Sequence, residues 1–288
     1  MQNRASGVPF FQKKCVSLQF IMKTKLLLHF WLVMMVGVLV SCTSAFDKIL
    51  KSNDAEAKYQ KAFEYYNLKK YSKAAMLFDN IALMYRGTPR DDSINFYLAK
   101  SFYLDGDMVS AEYYFNIFKQ TFPRSKFTEE AYFLRCISMY KTTYRPSLDP
   151  RPSTQTLAGI NEFLYLYPAT EWSAEARLMQ DDLLSRLDEK AFNSASLYYK
   201  IGEYKAAVMA LKTTLKDNPN TQYREDILYL ILASSYRLAK HSVPSKQRDR
   251  YQAVIDEYYN VISEYPASKY KKSADNMHSE ALDFLGKK

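Results

Sequence analysis

The sequence predicts an all-α protein built from a stack of helix pairs. Three observations support this prediction: the chain has only 7 Gly in 288 residues, it is rich in aromatic residues, and one residue pattern recurs five times. Scarce glycine leaves few tight hairpins and favours helices. In such a fold the 25 Tyr and 17 Phe are expected to fill the spaces between helices.

Residues 1–41 have the features of a removable leader. Lys23 and Lys25 form a basic start, and residues 26–40 form an apolar run that is short for a spanning helix of about 20 residues. Residues 1–21 are interpreted as an upstream extension that precedes a good start at Met22. The start codon is therefore left open between Met1 and Met22. Without residues 1–41 the chain has 35 basic and 31 acidic residues, a net charge of +4. That balance argues against nucleic-acid binding.

Cys42 directly follows the leader in a chain with 3 Cys. The run Leu39-Val40-Ser41-Cys42 resembles the bacterial lipobox, which implies S-diacylglycerol and an N-linked acyl chain such as palmitate on Cys42. The alternative is a stray cysteine in a signal anchor. No Asp follows Cys42 directly, so the inner-membrane retention signal is absent and the periplasmic face of a Gram-negative outer membrane is expected. No other cofactor is expected, and residues 42–53 are predicted to be a lipid-anchored linker.

A frame of small and bulky residues recurs through the rest of the chain. The small residue is Ala74, Ala111, Thr156, Ala207 or Val254, and the bulky residue four positions later is Phe78, Phe115, Ile160, Leu211 or Tyr258. Residues four apart share a helix face. Five positions before each small residue, at Lys69, Gly106, Arg151, Gly202 and Asp249, a tight turn into the helix is predicted.

The end of each frame predicts a helix stop followed by a new start. An aromatic or Asn residue, usually followed by Pro, ends the helix. Two residues after the Pro position, a hydroxyl residue (Thr88, Ser125, Thr170, Thr221 or Ser268) is expected to cap the next helix. Each unit is therefore a helix pair that must stack on its neighbours.

These helix pairs resemble tetratricopeptide repeats, in a solenoid of about five units over residues 54–288. The repeats are predicted at about 54–90, 91–127, 128–172, 173–223 and 224–288. Two insertions, Tyr144–Ser153 and Arg237–Arg250, are expected to interrupt the helices. Cys136 lies alone in an apolar helical pattern and is predicted to be a small core residue.

The sequence contains no catalytic or metal-binding motif. His241 and His278 lie far apart and outside any ligand spacing, and there is no Gly-rich phosphate loop or nucleophile elbow. The acid pair Asp91-Asp92 is expected in a helix first turn, because adjacent helical residues point in different directions. The protein is therefore predicted not to be an enzyme.

An aromatic groove is the predicted binding surface. Tyr59, Phe63 and Tyr66 have helical spacing, and Tyr97 and Tyr103 belong to the next repeat. These rings are candidates for peptide binding, because Tyr combines an apolar body with a hydroxyl that tolerates water. The alternative is that they belong to the core.

The segments "SLDPRPSTQTLAGINEFLYLYPAT", "FPRSKFTEEAYF" and "YPASKYKKSAD", together with the lipobox and the repeats, resemble the BamD family of the β-barrel assembly machinery. In the first segment Asp149 and Thr156 match the family pattern, whereas Pro150 replaces its usual Gln. The resemblance implies docking on the periplasmic domains of BamA through residues 190–288. It also implies reception of unfolded outer-membrane proteins by residues 54–145.

For docking, Arg237, Arg248 and Arg250 are candidates for salt bridges, with loop solubility as the alternative reading. A different repeat lipoprotein, a scaffold for division, pilus or secretin assembly, is the alternative function.

Overall fold

The computed structural model describes residues 45–286, and within this range it is helical and contains no strand. The predicted all-α, tetratricopeptide-like class is confirmed. Helix α1 covers residues 45–51. Eleven helices follow: α2 Ala55–Asn67, α3 Tyr71–Ala82, α4 Asp91–Asp105, α5 Met108–Thr121, α6 Thr128–Lys141, α7 Arg151–Leu166, α8 Ser173–Lys200, α9 Tyr204–Asp217, α10 Arg224–Lys240, α11 Pro244–Glu264 and α12 Lys271–Leu285.

The helices form two compact units, which divide at Gly106–Asp107. In the N-terminal unit, α3 packs against both α2 and α4. In the C-terminal unit, each helix from α5 to α12 packs against the next. There α6, α8, α10 and α12 also contact one another in order, so the first helices of successive pairs form a layer of their own.

The repeat frame forms the core on the second helix of each pair. All five small residues are at most 1% exposed, and four of the five bulky residues are fully buried. Tyr258, the fifth, is half-buried. Predicted repeats 54–90, 91–127, 128–172 and 173–223 each contain two helices, and 224–288 contains three.

The predicted turn into the second helix is present in only three repeats. Lys69, Gly106 and Gly202 have the left-handed φ values 57°, 90° and 85°, which reverse the chain in a few residues. The prediction is wrong at Arg151 and Asp249, which lie within α7 and α11. In the other three repeats the helix begins two residues after the predicted turn residue, whereas α7 begins at Arg151 itself and α11 begins before Asp249. Both helices carry Pro in the first turn, where its fixed φ suits a helix start.

The predicted helix caps are a second correction. Each repeat hydroxyl lies two residues before the N-cap residue, and none of these five helices has a side-chain cap. Instead Thr88, Ser125, Thr170, Thr221 and Ser268 each accept a hydrogen bond from the backbone N–H two residues later, at 3.0–3.3 Å. The hydroxyls thus stabilise the turn that leads into the helix.

Both predicted insertions are shorter than expected. Helix α7 begins at Arg151, inside the Tyr144–Ser153 segment, so the last three residues of that segment are helical. Between Arg237 and Arg250 only residues 241–243 lie outside α10 and α11. Pro244 is the first residue of α11, where its fixed φ suits a helix beginning.

Candidate functional site

Four of the five predicted aromatic residues meet in the N-terminal unit. Tyr59, Phe63 and Tyr66 lie on α2 and Tyr97 on α4; these four residues are called the aromatic face. The ring centroid of Phe63 lies 4.9 Å from those of Tyr59 and Tyr97, and Tyr66 lies 5.0 Å from Tyr97. All four side chains are half-buried, so part of each side chain remains accessible to solvent.

Phe78 of α3 forms the floor of the aromatic face. It is fully buried, and its ring centroid lies 5.0 Å from that of Phe63 and 6.2 Å from that of Tyr97. The bulky residue of the first repeat therefore fixes the positions of the rings above it. The contact with Phe63 is edge-to-face and that with Tyr97 is stacked, and aromatic pairs of either kind contribute about 0.5–1.5 kcal/mol beyond area burial.

A polar rim borders the aromatic face beside Tyr59. The Arg90 guanidinium lies 4.4 Å from the Tyr59 ring centroid and donates to Glu56 Oε2 at 2.5 Å. Tyr85 Oη donates to the same oxygen at 3.1 Å. Hydrogen bonds from Gln60, then Arg90, lower the pKa of Glu56, and burial raises the pKa of Tyr85. Glu56 and Arg90 therefore stay ionised at neutral pH, and Arg90 keeps a cation–π contact with Tyr59.

Tyr103, the fifth predicted residue, is half-buried on α4. It lies six residues after Tyr97 on the same helix, which turns it about 240° around the axis. It therefore points away from the side of α4 that carries Tyr97. The spacing along the helix could have shown this before the structure.

The three candidate docking arginines lie at the α10–α11 connection. Arg237 is exposed in the last turn of α10, and Arg248 is exposed on α11. Arg250 is half-buried and donates to Ser242 Oγ, so this side chain holds the connection together. Arg237 and Arg248 are the two whose charge faces solvent.

The C-terminal unit contains an open groove that the sequence did not predict. The groove has a volume of about 440 Å³ and lies between α5, α6 and α7. Met108, Val109 and Met139 provide its apolar wall. Arg135 Nε and Nη2 donate to Glu112 Oε1 at 3.0 and 2.9 Å on its polar side. Its residues come from three helices, so no single stretch of sequence indicated it.

The predicted lipid site, Cys42, lies outside the described residues. Cys136 is buried, as predicted for a core residue, and burial raises its pKa to about 12. Within residues 45–286 no group of three or more His, Cys, Asp or Glu side chains is arranged to hold a metal ion. No helix in this range has the length and the apolar content to cross a bilayer.

Comparison with known proteins gives a consistent result. Residues 51–249 match the family described as "YfiO: Outer membrane lipoprotein". The chain is 24% identical over 115 residues to the outer membrane protein assembly factor BamD of Caulobacter vibrioides, which covers 40% of this chain and 38% of that protein. It is also 24% identical over 196 residues to BamD of Pasteurella multocida, covering 62% of this chain and 69% of that protein.

Proposed function

The chain belongs to the YfiO family of outer membrane lipoproteins, and we propose that it is a scaffold of the β-barrel assembly machinery that docks on BamA and helps to insert outer-membrane proteins. The observation that carries this proposal is the family match over residues 51–249, which includes both the aromatic face and α10. The relatives named BamD support an assembly role without catalysis.

The proposed location is the periplasmic face of the outer membrane. Thioether-linked diacylglycerol and an amide-linked chain on Cys42 would hold the protein there, since two or more acyl chains anchor stably whereas one does not. The family description as a lipoprotein supports this anchor. The lipobox residues before Cys42 provide the recognition sequence.

The two units have different proposed tasks. The aromatic face would receive the aromatic residue that ends an outer-membrane protein signal, because half-buried rings give apolar contact without closing the site. Arg237 and Arg248 would pair with carboxylates on the periplasmic domains of BamA. Exposed guanidinium groups suit such bidentate contacts.

An affinity pull-down of the lipidated protein from detergent-solubilised membranes tests the docking proposal. Mass spectrometry is expected to find BamA as an abundant partner. The double variant Arg237→Ala/Arg248→Ala is expected to recover less BamA than the control Arg124→Ala/Arg177→Ala, which removes two exposed arginines elsewhere. Absence of BamA, with other envelope proteins dominant, would favour a division, pilus or secretin scaffold.

Photo-crosslinking tests the aromatic face separately. A peptide with a C-terminal Phe and a photoreactive group is expected to label peptides from α2 and α4. Phe63→Ala should reduce this labelling, whereas Tyr165→Ala, which removes a ring that is 85% exposed on α7, should not. Equal labelling in both variants would remove the aromatic face from the proposal.

A further inference from the structure

We propose that one end of the N-terminal unit lies on a membrane surface that contains anionic phospholipid. This anchor end is defined as Phe46, Leu68, Lys69, Lys70 and Lys73. The inference rests on the proposed function in one respect, the acylation of Cys42. It goes further by assigning a lipid-binding surface to folded residues of the chain.

Helix α1 brings the start of the described chain to the turn between α2 and α3. Phe46 in its first turn is 8% exposed, and its ring centroid lies 5.6 Å from that of Tyr65, near the end of α2. Lys73 Nζ lies 5.3 Å from the Phe46 centroid and 5.7 Å from that of Tyr65. These contacts hold the first turn of α1 against the α2–α3 turn.

The position of Phe46 determines where the acyl chains would leave the protein. Cys42 precedes Ala45 by three residues, which can span at most about 11 Å. An acylated Cys42 would therefore hold the anchor end within about that distance of the lipid headgroups. The same end of α2 and α3 would then face the membrane.

The side chains of this end suit a lipid interface. Leu68 is 55% exposed at the end of α2, and the exposed Lys69 and Lys70 follow it. The left-handed φ of Lys69, 57°, turns the chain sharply here, so Leu68 and the two lysines share the tip of the turn. Lys stems lie along apolar surface while their ammonium groups reach phosphate.

The charge at this end is positive after the acidic groups are counted. Lys48 is exposed on α1, in addition to the three lysines of the anchor end. On α1 and on the last turns of α2 and α4, the acidic groups are Asp47, Asp105 and Glu64, and Lys61 pairs with Glu64 at 2.6 Å. Lysines near an anionic leaflet each contribute about 1 kcal/mol within a Debye length of about 8 Å.

This orientation would place the aromatic face close to the membrane. Phe63 and Tyr59 precede Leu68 on α2 by five and nine residues, or about 8 and 14 Å along the helix axis. A protein segment held on the aromatic face would therefore stay near the surface into which it is inserted. The lipid contact would add orientation to the attachment that the acyl chains provide.

Fluorescence quenching on vesicles tests the inference with the full lipidated protein. Leu68→Cys would carry an environment-sensitive label, since Cys136 is buried with a raised pKa and reacts poorly. The protein is placed on vesicles of phosphatidylcholine alone or mixed with phosphatidylglycerol, each with a headgroup quencher. Quenching is expected to be clearly stronger with phosphatidylglycerol than with phosphatidylcholine alone. On the anionic vesicles, Lys69→Gln/Lys70→Gln should lower the ratio of surface-docked to undocked protein about thirty-fold.

The control variant Lys205→Gln/Lys216→Gln removes two exposed lysines of α9 and should leave the quenching unchanged. The protein could float with both vesicle types while its quenching is the same with and without phosphatidylglycerol and the same in the Lys69/Lys70 variant. In that case the lipid anchor is supported and the inference is wrong. Flotation only with anionic vesicles, lost in the Lys69/Lys70 variant, would support the inference and contradict the anchor. Flotation with neither vesicle type would contradict both.

Discussion

The tyrosines of the aromatic face and the tyrosines between alternate helices of the C-terminal unit make different contacts. On the aromatic face, Tyr59, Tyr66 and Tyr97 contact other rings. In the C-terminal unit, Tyr140 donates to Asp182 Oδ2 at 2.7 Å and Tyr270 donates to Asp226 Oδ1 at 2.5 Å. The first arrangement leaves ring surface for a partner, whereas the second uses the hydroxyl to join helices.

The hydroxyl bonds of the C-terminal unit have similar separations along the chain. The bonded residues in Tyr140–Asp182, Tyr229–Ser273, Tyr236–Glu280 and Asp226–Tyr270 are 42 to 44 positions apart. Each bond joins one helix to the second helix after it, α6 to α8 or α10 to α12. The same residue type thus serves as a helix-to-helix link here and as a candidate binding surface in the N-terminal unit.

Removal of the floor of the aromatic face should have the largest effect on this comparison. Phe78→Ala is expected to lower the stability of α2–α4 by about 3–5 kcal/mol, because it leaves a cavity under rings that cannot collapse fully. Hydrogen exchange read by mass spectrometry should show faster exchange in peptides from residues 55–105. Tyr165→Ala, an exposed ring on α7, should leave that exchange unchanged. Unchanged exchange in Phe78→Ala would show that the rings do not depend on Phe78.

Loss of single hydroxyls should separate the two roles. Tyr140→Phe is expected to cost about 1–2 kcal/mol, because Asp182 loses a donor and Arg186 Nη2 loses an acceptor at 3.0 Å. Tyr59→Phe keeps the ring and its contact with Arg90, so its cost should be near zero. Urea unfolding followed by circular dichroism measures both. Equal costs would mean that the Tyr59 hydroxyl also carries structure.

The core was predictable from sequence because it depends on local spacing. A small residue and a bulky residue four positions apart share a helix face whatever surrounds them, so Ala74 and Phe78 are both buried. The four rings of the aromatic face were named for a similar reason. Their use in binding stays a prediction, as does the acylation of Cys42.

The remaining features depend on contacts between distant residues. The bond from Ser268 Oγ to Glu225 Oε1, 2.7 Å long, joins positions 43 residues apart, and no local pattern indicates such a pair. Arg250 looked like a free surface charge, but its contact with Ser242 depends on where α11 begins. The two predicted insertions were too long because Pro152 and Pro244 lie in the first turns of α7 and α11, which extends both helices into those segments.

The ring of His278 is half-buried and stacks on that of Tyr258, with 4.0 Å between the ring centroids. Within the described residues its buried Nε2 has no hydrogen-bond partner. Burial lowers the pKa of His278, against a smaller opposing effect of Asp275. Hydrogen bonds from Lys271, then Tyr258, lower the pKa of Asp275, and burial raises that of Tyr258. Both neighbours therefore titrate outside the histidine range.

His278 should make the stability of the C-terminal unit slightly dependent on pH, whereas the aromatic face contains no histidine. The unfolded chain, in which His titrates near pH 6.5, binds the proton more readily than the folded chain. The contribution of His278 is therefore complete above about pH 6.5 and is lost as the pH falls below it. Urea midpoints at about pH 8 and pH 5 should differ less in His278→Gln than in the wild type, whereas His241→Gln, an exposed histidine at the end of α10, should match the wild type. An unchanged pH dependence in His278→Gln would show that the folded protein accepts the proton at His278 without loss of stability.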